Sequence, residues 1–178
     1  MEDVRELRAS ARAGIEVDAF EALYLRNQTA VFRYVRSRSV SDDEAAELTA
    51  VTFERAFRAF GRFRADGGGE AAWLLRIARN AAIDDARQRS RRRDRRLDDP
   101  DVSVADARVR AGATLEDDVA LRALVAALPG RQRDAVRLRY AAGLTAREIG
   151  VVMGVSEEAA QKQLERALQA LKEAYRGG

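Results

Sequence analysis

The residues with the most to offer chemically lie between Trp73 and Arg96, in the stretch WLLRIARNAAIDDARQRSRRRDRR. Trp73, Leu74, Ile77, Ala78 and Ala81 recur at helical spacing and are expected to face a core. The opposite stripe carries Arg76, Asn80, Asp84 and Arg87, and the helix then runs into Arg89, Arg91, Arg92, Arg93, Arg95 and Arg96. An apolar anchor, an amide and a train of guanidinium groups form or break no covalent bond. They bind: the arginines suit phosphate, and nucleic acid is the first candidate polyanion. The plain alternative for the arginine run is a solvated, disordered tail.

Composition narrows the chemistry further. The 178 residues include neither cysteine nor histidine, which excludes disulfides, the usual zinc sites, the commonest general base and the thiol nucleophile. No metal or cofactor is expected. Net charge is only +3 although the pI is near 9.7, so the basicity is local. No apolar run approaches the ~20 residues of a membrane span, and MEDVRELRASARAG is not a signal peptide. The expectation is a cytoplasmic protein without membrane insertion.

The elements that must position these residues read as all-α. Residues 1–14 are expected to form a short helix ending at Gly14, an N-terminal extension. Asp18 with Glu21 has the capping-box pattern and opens a helix bearing Phe20, Leu23, Tyr24, Val31, Tyr34 and Val35. Ser41 with Glu44 opens another, to about Phe60, with Ala45, Leu48, Thr52, Phe53, Ala56 and Phe57 as its apolar content. The loop GRFRADGGG, residues 61–69, places Phe63 and Arg64 just before the Trp73 helix. Residues 15–93 would then be one compact helical domain.

From residue 94 to 117 the apolar period lapses and the chain turns acidic at Asp98, Asp99, Asp101 and Asp106, which predicts a flexible linker with a short helix around Val104 to Arg110. A second helical domain, residues 118–176, begins with Val119, Leu121, Leu124, Val125 and Leu128, stopping before Pro129. Pro129 suits the first turn of the next helix, which carries Val136, Leu138 and Tyr140 and ends near Gly143. Thr145 with Glu148 is a third capping-box pattern, with Ile149 and Val152 as core positions. Gly154 makes a turn, and Ser156 caps a last helix holding Ala160 and Leu164. This is the helix-turn-helix pattern, and an αα-hairpin of a bundle is its rival. In the DNA-binding form, Glu157, Glu158, Gln161, Lys162, Gln163 and Arg166 would meet the major groove, Gln reading adenine and Lys or Arg reading guanine or phosphate.

Those motifs resemble a known family. WLLRIARNAAID looks like the hallmark of the group 4, or extracytoplasmic-function (ECF), sigma factors of bacterial RNA polymerase, and LPGRQRDAVRLRYAAGLTAREIGVVMGVS resembles their C-terminal helix-turn-helix domain. With FEALYLRNQTAVFRYV and EAAELTAVTFERAFRAF, the match runs from about residue 15 to 175.

The resemblance implies an alternative sigma factor with no catalytic residues, whose partners are core RNA polymerase (clamp helices and flap), promoter DNA and an anti-sigma factor. It assigns core polymerase binding to Glu44, Glu47, Leu48 and Phe53, although Glu44 also reads as a helix cap. It assigns the −10 element, melted to a single strand, to Phe63, Arg64, Arg76, Asn80, Asp84, Arg87, Arg91 and Arg92. An extruded base needs a stacking surface and an amide for its edge; for Phe63 the competing role is a core plug. The −35 duplex falls to Arg139, Thr145, Arg147, Ser156, Glu157, Gln161, Lys162, Gln163 and Arg166. The acidic linker would lie along the polymerase cleft as a nucleic-acid mimic, or act as a plain spacer.

The sequence departs from the family pattern at Ala50 and Val51, where acidic and amide residues are common. It departs again in the last helix at Gln161, Gln163, Glu165 and Leu168, leaving that helix poor in cations. Two rivals follow: a sigma-like decoy that occupies an anti-sigma factor, and a stand-alone helix-turn-helix regulator.

Overall fold

The computed structural model describes the backbone of residues 2–39, 41–64, 68–97 and 116–176, and the side chains of residues 16–39, 41–64, 68–91 and 120–176. Seven α-helices and one 3-10 turn make up the described residues, with no strand among them. They are α1 (Glu2–Arg36), α2 (Asp42–Ala59), the 3-10 turn Phe60–Arg62, α3 (Gly69–Leu97), α4 (Glu116–Ala127), α5 (Gly130–Tyr140), α6 (Ala146–Met153) and α7 (Glu157–Arg176).

Helices α1, α2 and α3 pack around one another. On α1 the buried residues are Leu23, Val31, Tyr34 and Val35, and the buried Asn27 amide donates to the Leu23 carbonyl at 2.8 Å. On α2 they are Ala45, Leu48, Thr52, Phe53 and Ala56. The Thr52 hydroxyl is satisfied within its own helix, donating to the Leu48 carbonyl at 2.7 Å, so its burial leaves no polar atom stranded. The start of α3 is tied to α1 by a two-pronged pair between Arg26 and Glu70, at 2.9 to 3.2 Å.

Three expectations need correction here. The backbone stays helical through Gly14, so no helix ends there, and Asp18 lies inside α1 rather than capping it. A single glycine costs a helix about 1 kcal/mol, too little to break one with strong helix formers on both sides. The buried face of α3 is Leu74, Leu75, Ala78, Ala81 and Ala82, while Trp73 and Ile77 sit at its half-buried margin. Finally, the alternative of a disordered tail for the arginine run gives way, since the backbone of α3 stays helical to Leu97. Residues 98–115, with the expected short helix at 104–110, lie outside the described residues.

In the C-terminal half, α4 ends at Ala127 and Pro129 takes the N-cap position of α5, one residue earlier than its expected place. Leu121 and Tyr140, read as apolar-face residues, are 54% and 63% exposed. Ala135, Leu138, Ile149, Val152, Ala160 and Leu164 are buried. They do not form a separate core: they join Leu74, Leu75 and Ala78 of α3 and the buried residues of α1 and α2 in one continuous cluster, with α6 lying against α3. A smaller cluster of Leu128, Val136 and Ala167 holds α5 to α7, with Val125 of α4 packed on it.

Candidate nucleic-acid interface

On α3, Arg76, Asn80, Asp84, Arg87 and Arg91 are all exposed, at intervals of three or four residues that put them on one stripe. Asp84 is already engaged: its carboxylate pairs with Arg55 of α2 at 3.2 Å. Asn80 has no side-chain hydrogen bond among the described residues. Arg92 is in the helical backbone, but its side chain lies outside the described residues.

Just before this helix, Phe63 follows the 3-10 turn, its N–H donating to the Phe60 carbonyl at 2.9 Å. The Phe63 ring is half-buried, parallel to Phe60 with centroids 6.4 Å apart, and tilted against Trp73 at 4.7 Å. Phe20 continues the aromatic series on the far side of Phe60, with centroids 5.3 Å apart. The ring is therefore held in a defined place by two neighbours. Arg64 is exposed and donates to the Phe63 carbonyl at 2.9 Å.

Not every arginine of the run faces outward. Arg89 pairs with Asp85 one turn back, at 2.8 Å, and with Glu44 at the start of α2. Burial pushes its pKa below the ordinary arginine value. The Glu44 carboxylate thus sits against α3, while its N–H is capped by Ser41 Oγ at 3.1 Å. Glu47 is exposed. Leu48 and Phe53 are buried, Phe53 edge-on to Tyr24 at 4.6 Å, so both support the α2 surface from beneath. Beside them an open groove between α1 and α2 is lined by Tyr24, Phe32, Thr49 and Ala50, among others.

The helix-turn-helix geometry is set by local chemistry. Thr145 Oγ1 accepts from the Glu148 N–H at 3.3 Å and the Glu148 carboxylate accepts from the Thr145 N–H at 2.8 Å, a complete capping box. Thr145→Ala is expected to cost about 1 kcal/mol, read as a few degrees in a thermal melt. Gly154 ends α6 in the left-handed region at φ 68°, and the Val155 N–H closes the turn onto the Gly150 carbonyl at 2.9 Å. Ser156 Oγ accepts from the Ala159 N–H at 3.1 Å and starts α7.

On α7, Glu157, Gln161, Lys162 and Arg166 are exposed and Gln163 is half-buried. The Gln161 amide is bonded to Glu165 at 3.1 Å. Arg147 is exposed on α6. Arg139 donates to the Leu144 carbonyl at 2.9 Å and so braces the turn after α5.

Sequence reasoning missed a second charged centre. Asp134 of α5 is buried and bridges two arginines of the N-terminal helices, Arg38 just after α1 and Arg79 of α3, the latter at 3.1 Å. Arg38 also lies over the fully buried Tyr34 ring, 5.7 Å from its centroid. Burial pushes the Tyr34 hydroxyl up to about 12. For Arg38, burial works against the charge, but contact with Tyr34 and Asp134 outweighs it and its pKa rises. Asp134 is 96 residues from Arg38 and 55 from Arg79, so no local pattern signals the group.

Comparison with known proteins places this architecture. The chain matches the family model for sigma-70 region 2 over residues 23–92 and that for sigma-70 region 4 over residues 118–171. It is 34% identical to the ECF RNA polymerase sigma factor SigC of Mycobacterium tuberculosis over 171 residues, covering 96% of this chain and 90% of that protein. The chain belongs to the ECF sigma factors.

This sigma factor is also 36% identical to the ECF sigma factor BldN of Streptomyces coelicolor, over 93% of its own length and 63% of BldN's. It is 41% identical to SigF of Caulobacter vibrioides over 59% of its own length and 56% of SigF's, so it spans under two thirds of either protein. Among solved structures it resembles the sigma factor RpoE of Bartonella quintana in complex with the anti-sigma factor NepR, at TM-score 0.69 and 24% identity, with 89% of this chain and 97% of that one covered. It resembles CnrH in complex with the cytosolic domain of CnrY at TM-score 0.68 and 22% identity, covering 97% of each chain. Both likenesses support the fold. No helix among the described residues is long and apolar enough to cross a membrane.

Proposed function

We propose that this sigma factor binds core RNA polymerase in the cytoplasm and directs promoter-specific initiation. Region 2, residues 15–93, would recognise and melt the −10 element, and region 4, residues 118–176, would read the −35 duplex. The observation that carries the reading is the exposed Arg76–Asn80–Arg87–Arg91 stripe of α3 beside the Phe63–Trp73 ring pair. It combines an aromatic wall, an unengaged amide and phosphate-binding cations, the set an extruded base and its strand require. Binding energy opens the duplex, and no covalent chemistry is assigned to the protein.

Glu47 and the groove between α1 and α2 are the proposed polymerase contacts, with Leu48 and Phe53 supporting them. At region 4, Lys162, Arg166 and Arg147 are the proposed −35 contacts. An anti-sigma factor is the proposed regulatory partner, as the solved RpoE structure is a complex with the anti-sigma factor NepR.

Permanganate footprinting with core polymerase tests the −10 assignment: the non-template strand becomes reactive only when the chain is present. In the same system, replacing Arg87 and Arg91 with serine should flatten the log–log salt dependence of strand binding by about 0.7 for each phosphate that is no longer neutralised. An unchanged slope removes those two side chains from the phosphate path.

One observation favours a second reading. Gln161 is engaged with Glu165, and Gln163 is half-buried, which leaves α7 few free base-reading groups. A decoy that occupies an anti-sigma factor would bind that partner and initiate nothing.

A further inference from the structure

A second groove lies between α2 and α3 and shares no lining residue with the one between α1 and α2. Its volume is about 460 Å³, inside the range of small-ligand pockets, roughly 300–1,000 Å³. Its apolar lining is Leu48 and Val51 of α2 with Ala81 of α3. Leu48 and Ala81 are buried and Val51 is half-buried, so this is the floor. Exposed polar side chains stand around it, among them Gln88 and Arg87.

The two departures from the family pattern on α2 separate at this point. Ala50 lines the α1–α2 groove, whereas its neighbour Val51 lines the α2–α3 groove. An apolar wall thus stands where the family pattern has acidic or amide side chains. The acids that remain in the groove are engaged: Asp84 by Arg55 at 3.2 Å, and Asp85 by Arg89 at 2.8 Å. Arg87 makes no ion pair among the described residues, so the charge left over at the mouth is positive. Gln88 makes no side-chain hydrogen bond among the described residues.

An apolar floor, an unengaged amide and a cation at the mouth suit one chemical species, a nucleobase carried on its phosphate. The floor covers the flat faces, the amide meets the edge, and the guanidinium meets the backbone. A glutamine amide offers a donor and an acceptor side by side, the complement of the N6 amino group and N7 of adenine. Gln88 follows Asn80 by two helical turns, about 12 Å along α3, more than three steps of a stacked strand at about 3.4 Å each. The groove therefore takes a different base from the one proposed at Asn80 and Phe63. Arg87 makes the two places continuous, since it belongs to the exposed stripe and also lines the groove.

We infer that the α2–α3 groove is a second base site for single-stranded promoter DNA, in which Leu48, Val51 and Ala81 bury an extruded adenine and Gln88 reads its edge. The inference rests on the −10 reading proposed above and extends it. The opened strand is held at two separated bases, and Gln88 is a specificity-determining residue.

A base-deletion scan tests the second site. The probe is the single-stranded DNA that the full chain, assembled on core polymerase, selects from a random-sequence pool, with core polymerase alone as the blank. Removing one base at a time, to leave an abasic sugar, should reveal two separate positions that each lose about 10-fold in binding. Gln88→Ala should erase the loss at one position and keep it at the other, and Asn80→Ala should do the reverse. At the Gln88-dependent position, replacing adenine by thymine should cost the parent chain about 10-fold and cost Gln88→Ala nothing. Val51→Glu, which puts a carboxylate into the groove, should erase the same single sensitivity. One sensitive position in the parent overturns the second site. So does a Gln88→Ala variant that keeps both sensitivities, or that weakens every probe by the same factor as a merely structural residue would. Failure to select any strand beyond core polymerase alone overturns the −10 reading and the second site with it. The two failures are distinct, because losing only the second site leaves strand affinity in place.

Discussion

Gly150→Val is expected to cripple region 4, costing about 3 kcal/mol or more. Gly150 lies within α6, where helix propensity alone would favour a side chain by about 1 kcal/mol. Packing reverses that preference. A Cβ at this position would stand 2.8 Å from the Val155 carbonyl oxygen and 3.3 Å from the Glu157 nitrogen and the Ser156 carbonyl carbon. All three are backbone atoms of the turn into α7, so no flexible side chain can swing away. The same turn is closed by the Val155 N–H on the Gly150 carbonyl. Relief requires α7 to move off α6, which opens the contact of Ile149 and Val152 with Ala160 and Leu164. A thermal melt should fall by roughly 10 °C, and −35 binding should disappear with it. Gly150→Ala should show the same sign at smaller size. A melt unchanged by Gly150→Val would show that the turn relaxes freely.

Asn80→Ala is expected to cut open-complex formation by roughly 10- to 100-fold, the worth of one well-placed amide–base contact at 1–3 kcal/mol. Its effect on folding should be small, because Asn80 is exposed and makes no side-chain hydrogen bond among the described residues. Binding to core polymerase should be unchanged, since the proposed contacts for that partner lie on α1 and α2. This separation is what makes the variant informative: promoter melting fails while assembly persists. Equal permanganate reactivity in Asn80→Ala and the parent chain would remove Asn80 from the base site. Asp84, by contrast, already holds Arg55, so its replacement acts first on the α2–α3 contact.

What could be read in advance follows the range of the interactions. The caps at Ser41, Thr145 and Ser156 and the Gly154 turn were legible because each uses neighbours within about four residues, and local hydrogen bonds leave local patterns. The exposed stripe of α3 was legible for the same reason. Failures occur where a distant partner decides. Arg89 belongs by pattern to the phosphate-gripping run, but Glu44 of another helix captures it. Trp73 reads as a buried anchor, yet it sits half-buried at the margin against Phe63, while Leu75, off the expected stripe, is fully buried. Gly150 looks like any helical glycine until the path of the following turn is known. The meeting of Arg38, Arg79 and Asp134 leaves no trace in spacing, and neither does the merging of two domain cores that a long acidic linker seemed to keep apart.

The central claim is that this chain confers promoter choice on core polymerase. Reconstituted transcription on genomic DNA from its own source, with core polymerase and mapping of RNA 5′ ends, tests it most directly. The expected result is a small set of start sites that appears only when the chain is added, preceded by shared −10 and −35 sequences, and weakened in Asn80→Ala. Transcripts indistinguishable from those of core polymerase alone, while the chain still binds an anti-sigma factor, would contradict the account and favour the decoy.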